Sequence, residues 1–316
     1  MMLPVGWNID RVLSGLLHFG PRYSAVKKLP ALLLLLPNAG PRKLPEVAAG
    51  VPGPAGTPVH VLIAGFDYDR NIAAFFRSAK VGDAEWGEGS ASEDVTLAQA
   101  IHASSNAPVL FFDEPATWDD GASRYWDGAI SGCNNPVLAG VAEAITLQVA
   151  PTDIRALAIG TATVRRTGPP RDNPGPYYAP RSSQDFPSDI GKLAASITDD
   201  PPDIASFLAH VMTGGAIQGP GTSRVVRMNP MVCPVPDGAG GWKPPGGWSV
   251  DQLKHLASID ITALEHTDVE YISRYADFWL ADQAPNQPIR MSADTLTSKL
   301  GPDTHQGALA AWRAIS

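Results

Sequence analysis

Asp127 is the residue whose type and setting point most directly to chemistry. It closes the aromatic run Tyr125-Trp126 and is followed by the small-residue loop Gly128-Ala129-Ile130-Ser131-Gly132-Cys133. A carboxylate held at a strand end can take a proton from a substrate or from a neighbouring nucleophile. The same pattern equally describes a turn carboxylate that caps backbone N–H groups. A motif this short does not separate the two. Gly128 lets the backbone leave the strand tightly and leaves room for a neighbouring group to approach. Cys133, in the same loop, reads as a small packing residue.

Other reactive side chains give weaker patterns. Ser104 and Ser105 end a helix, where the C-terminal dipole is the wrong one for an oxyanion. Asp113, Glu114, Asp119 and Asp120 share a loop without EF-hand spacing, which reads as a solvated acidic loop. The seven histidines show no pairing at metal-ligand spacing. No metal and no cofactor are therefore assigned. His60, within an apolar strand, reads as a packed or edge histidine.

Elements that could position Asp127 follow from local patterns. Val59 to Ala64 and Ile72 to Phe76 read as a hairpin around the polar turn 67–71. Val95 to Ala103 reads as a helix with Asp94 near its start, and Val109 to Phe112 as a short strand. Asn135 is a helix N-cap with Pro136 at the first helical position. Val137, Leu138, Val141, Ala142 and Ile145 then share one face. Asp153 to Thr161 reads as a buried strand ending in a turn. Ile204, Phe207, Leu208, Val211 and Met212 outline an amphipathic helix stopped at Gly214-Gly215. Ser223 to Met228 is a further strand. Ser249-x-x-Gln252 and Thr267-x-x-Glu270 are capping boxes, and 308–315 is a terminal helix. Helices are also expected over 8–19 and from Tyr23 through the leucine run 32–36. That run is too short to span a bilayer and reads as a buried helix. Loops are expected at 41–57, 82–92, 165–187 and 237–247.

The chain has 316 residues, 44% of them hydrophobic and 18% charged, with a formal net charge of −8. That length can bury a large core. The negative charge argues against a nucleic-acid partner and against simple electrostatic docking to anionic lipid. Two cysteines do not form a disulfide framework. No secretory signal is visible in residues 1–10, so the expected location is the cytoplasm.

Asp127-Gly128-Ala129, followed by Asn134-Asn135-Pro136-Val137-Leu138-Ala139 and Glu143-Ala144, resembles the second catalytic block of the patatin-like phospholipases. That family comprises α/β acyl-ester hydrolases with a Ser-Asp dyad, and the dyad aspartate matches Asp127. Gly128, Ala129, Asn134, Asn135 and Pro136 support the motif. The stretches 97–109, 59–66 with 75–78, and 157–161 resemble the family's flanking elements in the same order. The resemblance implies an α/β fold of patatin-like layers, a central mixed sheet flanked by helices, with a mainly helical C-terminal region. It implies a partial catalytic domain over 1–165, with 166–316 extending it or forming a helical subdomain.

The departure is the nucleophile. The family's Gly-x-Ser-x-Gly elbow is absent: Gly87-Glu88-Gly89-Ser90 has the wrong register, Gly121-Ala122-Ser123 lacks a closing glycine, and Gly219-Pro220-Gly221-Thr222-Ser223 places its serine too late. Only about 20 residues precede the first family-like stretch, too few for a strand, an elbow and its helix. The expectation is thus a family member lacking its N-terminal strands and the serine half of its dyad. The resemblance implies hydrolysis of phospholipid or acylglycerol esters, and the chain alone is expected to be inactive. The alternative is a non-catalytic patatin-like domain that binds lipid or protein. Expected partners are a lipid acyl ester, a membrane surface met peripherally, and further copies of the chain paired through an exposed sheet edge.

Overall fold

The computed structural model describes residues 21–53, 56–79, 94–108, 111–164, 201–216, 223–259, 263, 265–290 and 299–316. The helix expected over 8–19 and the loops expected at 82–92 and 165–187 lie outside the described residues. The protein is mixed α/β. It divides into two compact units, 1–134 and 135–316.

The first unit holds α1 (Ala25–Leu35), α2 (Leu44–Ala49), β1 (Leu62–Asp67), β2 (Ile72–Arg77), α3 (Leu97–Ser104), β3 (Ala116–Trp118) and β4 (Ser123–Asp127). The strands form one antiparallel sheet in the order β2-β1-β4-β3. The expected hairpin is present, its strands shifted toward the turn so that Val59 and His60 precede β1. Helix α3 packs against the sheet. Its core-facing side is small (Ala98, Ala100, Ala103), so the helix can approach closely, with His102 buried beside them. Phe76, Trp118 and Tyr125 fill the space between, with Trp118 stacked on Tyr125 at 4.9 Å and Phe76 edge-on at 5.1 Å. Each such aromatic pair contributes about 1 kcal/mol beyond its buried area.

Several expectations need correction here. Helix α3 starts at Leu97, two residues later than expected, behind a Thr96 cap: the Thr96 hydroxyl accepts from Gln99 N while Gln99 reaches back to Thr96 N at 2.8 Å. No strand includes Phe111 or Phe112; Phe112 makes a single bridge to Tyr23, and Val109 and Leu110 lie outside the described residues. The strand beside β4 is instead Ala116–Trp118, within the segment read as an acidic loop. The leucine run is not buried. Only Ala25 of α1 is, while Leu34 and Leu35 are 83% and 76% exposed. Apolar density without a partner surface does not produce burial.

The second unit holds α4 (Val137–Thr146), β5 (Ala156–Ile159), β6 (Thr163–Val164), α5 (Pro201–Met212), β7 (Val225–Met228), β8 (Met231–Val232), β9 (Val235–Pro236), β10 (Trp242–Lys243), α6 (Val250–Ser258), α7 (His266–Leu280) and α8 (His305–Ile315). Pairs β5–β7 and β6–β8 are parallel, whereas β9–β10 is antiparallel. One core joins α4, α5 and one face of β7 through Val141, Phe207 and Val225; another joins the opposite face of β7 to α8 through Val226, Met228 and Ala308.

Strand β5 corrects the expectation of a buried strand, because only Ala158 is enclosed and Ile159 is 72% exposed. Helix α5 forms as expected, but Ile204, Leu208 and Met212 are exposed, and the buried stripe is Asp203, Ser206, Phe207 and His210. Polar residues went inward because each meets a hydrogen-bond partner there. The Ser249–Gln252 capping box is present on α6. The Thr267–Glu270 box is not, since α7 begins at His266 behind Glu265 without a side-chain cap. Among the described residues no helix is long and apolar enough to cross a membrane.

Candidate active site

Strand β4 carries Asp127 to the sheet's end, where it pairs in register with Gly65 of β1. The chain then turns through a 3-10 segment, Gly128–Ser131. Asp127 caps that segment: its Oδ1 accepts from Ala129 N at 2.9 Å. Gly132, at φ 77°, reverses the chain in the left-handed region that favours glycine. Gly128 is required for a different reason. A Cβ there would lie 2.7 Å from Ala64 O and 2.8 Å from Ala64 C, so β1 makes the close approach that the glycine permits.

Two groups from elsewhere in the first unit converge on the acid. Asp127 N donates to Asn106 O at 3.1 Å, just beyond α3. Asn106 is fully buried, and its Nδ2 donates to Glu114 O at 2.8 Å. Lys28 of α1 reaches over the C-terminal end of α3, donating to Ser105 O at 2.5 Å and His102 O at 3.3 Å and lying 4.2 Å from the Phe112 ring centre. A lysine at this position satisfies carbonyls that the helix leaves unpaired. It also lends positive charge to Asp127 without forming an ion pair with it.

Burial raises the Asp127 carboxyl above the ordinary aspartate range, opposed by the Ala129 N–H and by the charge of Lys28. Burial pulls Lys28 down to about 8, with Asp127 acting in the opposite direction. His102 is held near 4, first by burial and then by Lys28, so it is neutral at pH 7. Three enclosed polar atoms around this turn have no hydrogen-bond partner: His102 Nδ1, Asn106 Oδ1 and Ser131 Oγ. Asp127 Oδ2 likewise has none among the described residues. Unsatisfied polar atoms are rare in folded proteins, and a group of them marks a place where a complementary group fits.

The remaining motif residues take structural parts. Ala129 supplies the N–H that Asp127 caps. Asn134 is exposed at the end of the first unit. Asn135 opens the second unit: it is buried, donates to Ser206 Oγ at 2.8 Å and accepts from Val137 N at 3.3 Å. Its side chain therefore caps the first turn of α4, with Pro136 leading into Val137. Burial raises the Cys133 thiol, which disfavours a reactive thiolate. Asp113 is also structural, accepting from Ala25 N at 2.9 Å at the start of α1. Among the described residues no group of three or more His, Cys, Asp and Glu side chains is arranged to hold a metal ion.

Lys28, His102, Asn106 and Ser131 could not be picked out from sequence, because only the packing of α1 on α3, and of α3 on β4, gathers them. A second unforeseen pair is Ser223 with His210 in the other unit. Ser223 Oγ lies 2.8 Å from His210 Nδ1, and His210 Nε2 lies 3.0 Å from Ala216 O. The distances suit a nucleophile and its base, but the imidazole is fully buried and the hydroxyl also accepts from Val225 N at 3.0 Å. The pair locks the C-terminal end of α5 to β7. Neither a protein-family model nor a curated protein matches this chain.

Proposed function

We propose that this chain carries the acid half of a Ser-Asp acyl hydrolase of the patatin-like phospholipase type. Asp127 is the proton acceptor, and the serine comes from a segment other than these 316 residues. The finer fold reading, patatin-like layers around a mixed sheet, belongs to the same proposal, as does a cytoplasmic location. The observation that carries it is a half-buried carboxylate with a raised proton affinity and one oxygen without a donor among the described residues, together with three unsatisfied polar atoms in the same unit.

Carboxylates are weak bases, and partial burial makes them stronger. As the serine hydroxyl attacks an ester carbonyl, its proton passes to Asp127. Asp127 then returns that proton to the leaving alcohol, and water repeats the cycle on the acyl-enzyme. The Ala129 N–H holds Oδ1 and leaves Oδ2 to face the hydroxyl. The charge of Lys28 favours the ionised acid and opposes part of the effect of burial. The substrates are fatty-acyl esters of phospholipids or glycerol. A second reading, a non-catalytic domain that binds lipid or protein, is favoured by the bare leucines of α1.

Two assays test the proposal. The chain alone should hydrolyse p-nitrophenyl butyrate no faster than buffer. A longer chain bearing a Gly-x-Ser-x-Gly segment ahead of residue 1 should turn the ester over, with Asp127→Asn removing the activity. Turnover by the chain alone that Asp127→Asn abolishes would show that the nucleophile lies within these residues. Turnover by the longer chain that survives Asp127→Asn would remove the aspartate from the mechanism.

A further inference from the structure

The second unit contains a buried polar network that is complete except for two cations. Asn229, just past β7, is fully enclosed. Its Oδ1 accepts from Ala162 N at 2.9 Å, and its Nδ2 donates to Thr163 Oγ1 at 2.8 Å and to Gln287 Oε1 at 2.5 Å. Gln287 Nε2 donates in turn to Asp203 Oδ1. Asn286 Oδ1 accepts from Asn229 N, and its Nδ2 donates to Arg227 O and Pro302 O. The neutral side chains of this network are paired.

The guanidinium groups of Arg227 and Arg290 are not. The two residues are 6% and 4% exposed, and neither guanidinium has a hydrogen-bond acceptor or an ion-pair partner among the described residues; Arg290 Nε is enclosed with none. Arginine presents five N–H donors and stays charged. A buried charge without a partner costs several kcal/mol, so structures normally supply one.

Both arginines face the same region. Arg227 shares a face of β7 with Val225, which packs into the core containing Phe207 and Ile289. The Arg290 guanidinium lies 5.3 Å from the Phe207 ring centre. Asp203, one turn before Phe207 on α5, is the acid whose charge Arg227 feels. A Cβ at Gly160 would lie 2.8 Å from Arg227 Nη2 and against Asn229 Oδ1, so the glycine past β5 lets the cation and the network approach the backbone there. Gly160 and Asn229, which Arg227 packs beside, follow the carboxyl ends of the parallel pair β5–β7, the end at which open α/β sheets take ligands. Among the described residues, two arginines face one aspartate, an excess of one positive charge.

We propose that Arg227 and Arg290 form a binding site for a phosphate group, free or within a phosphodiester headgroup. The guanidinium fork matches phosphate oxygens in pairs, and the Phe207 face holds Arg290 in position. The site lies wholly within the second unit and does not depend on the role of Asp127.

Thermal denaturation of the whole chain with inorganic phosphate, and in parallel with glycerophosphocholine, tests the site at ionic strength held constant with chloride. A saturable rise in Tm is expected in at least one arm, and the arm that saturates at lower concentration identifies the source of the phosphate. Arg290→Gln should raise the half-saturating concentration about tenfold or more, as loss of one charge-assisted pair implies. Should that variant not melt cooperatively, Arg290→Lys keeps the charge, loses the fork and should weaken binding in the same direction. Tm changes that chloride reproduces, or a folded variant that binds like the parent, would overturn the proposal.

Discussion

Opposing influences meet at Asp127. Burial favours its protonated form, while the Ala129 N–H and Lys28 favour the carboxylate, and burial dominates. A carboxyl raised on folding destabilises the fold in its ionised form. That penalty is absent below the ordinary aspartate range and fully present above the raised value. Asp127→Asn keeps an oxygen for Ala129 N and removes the penalty, so it should melt at or above the parent at pH 7. The difference should close as pH falls through the carboxylate range. Asp127→Ala loses the cap and should be less stable by about 1 kcal/mol. Urea melts at several pH values measure both. His102 has the reverse dependence. Its folded value near 4 lies below the ordinary 6.5, so the stability it confers is complete above 6.5 and is lost as pH falls toward 4. The loss should be on the order of 3 kcal/mol, since one pKa unit corresponds to about 1.4 kcal/mol, and His102→Gln should flatten it.

At the scale of elements, the turn after β4 depends on close approach to β1. Gly128→Ala would press a methyl against the Ala64 backbone, which cannot yield as a side-chain tip can. A cost of roughly 2–3 kcal/mol is expected from overpacking, read as a lowered urea midpoint. How far such elements are legible in sequence depends on how local their causes are. The hairpin, α3 and the start of α4 follow from apolar runs around a polar turn, the run from Val95 to Ala103 and Asn135-Pro136, all within a few residues. The exposure of the leucine run is not legible, because burial requires a partner surface that a sequence window does not display. The inward face of α5 was misread for a related reason: Asp203, Ser206 and His210 are inside because distant groups such as Gln287 and Ser223 meet them. Lys28 joins the site through carbonyls 74 and 77 residues away, which no local pattern encodes.

Across the whole chain, apolar side chains remain open to solvent in both units: Val26, Leu34 and Leu35 in the first, Ile159 in the second. The charge of −8 opposes association, whereas such patches favour it. Self-association that grows with protein concentration is expected by sedimentation velocity. Replacing Leu34 and Leu35 together with Gln should reduce it while shifting stability by no more than about 0.5 kcal/mol per site. The two chemically distinctive places differ in kind. The first offers an acid beside unsatisfied polar atoms; the second offers two buried guanidinium groups that have, among the described residues, no hydrogen-bond acceptor and one aspartate nearby. Neither is visible as a motif of conventional spacing, apart from the Asp-Gly-Ala turn itself.

A carboxylate whose whole role is to cap a turn would be stabilised in its charged form and would titrate at or below the ordinary aspartate range. A poised base must titrate above it. The carboxyl carbon of Asp127, followed by NMR in the folded chain and assigned through its loss in Asp127→Asn, distinguishes the two directly. A raised midpoint is the result this account predicts, and a midpoint at or below the ordinary value would contradict it.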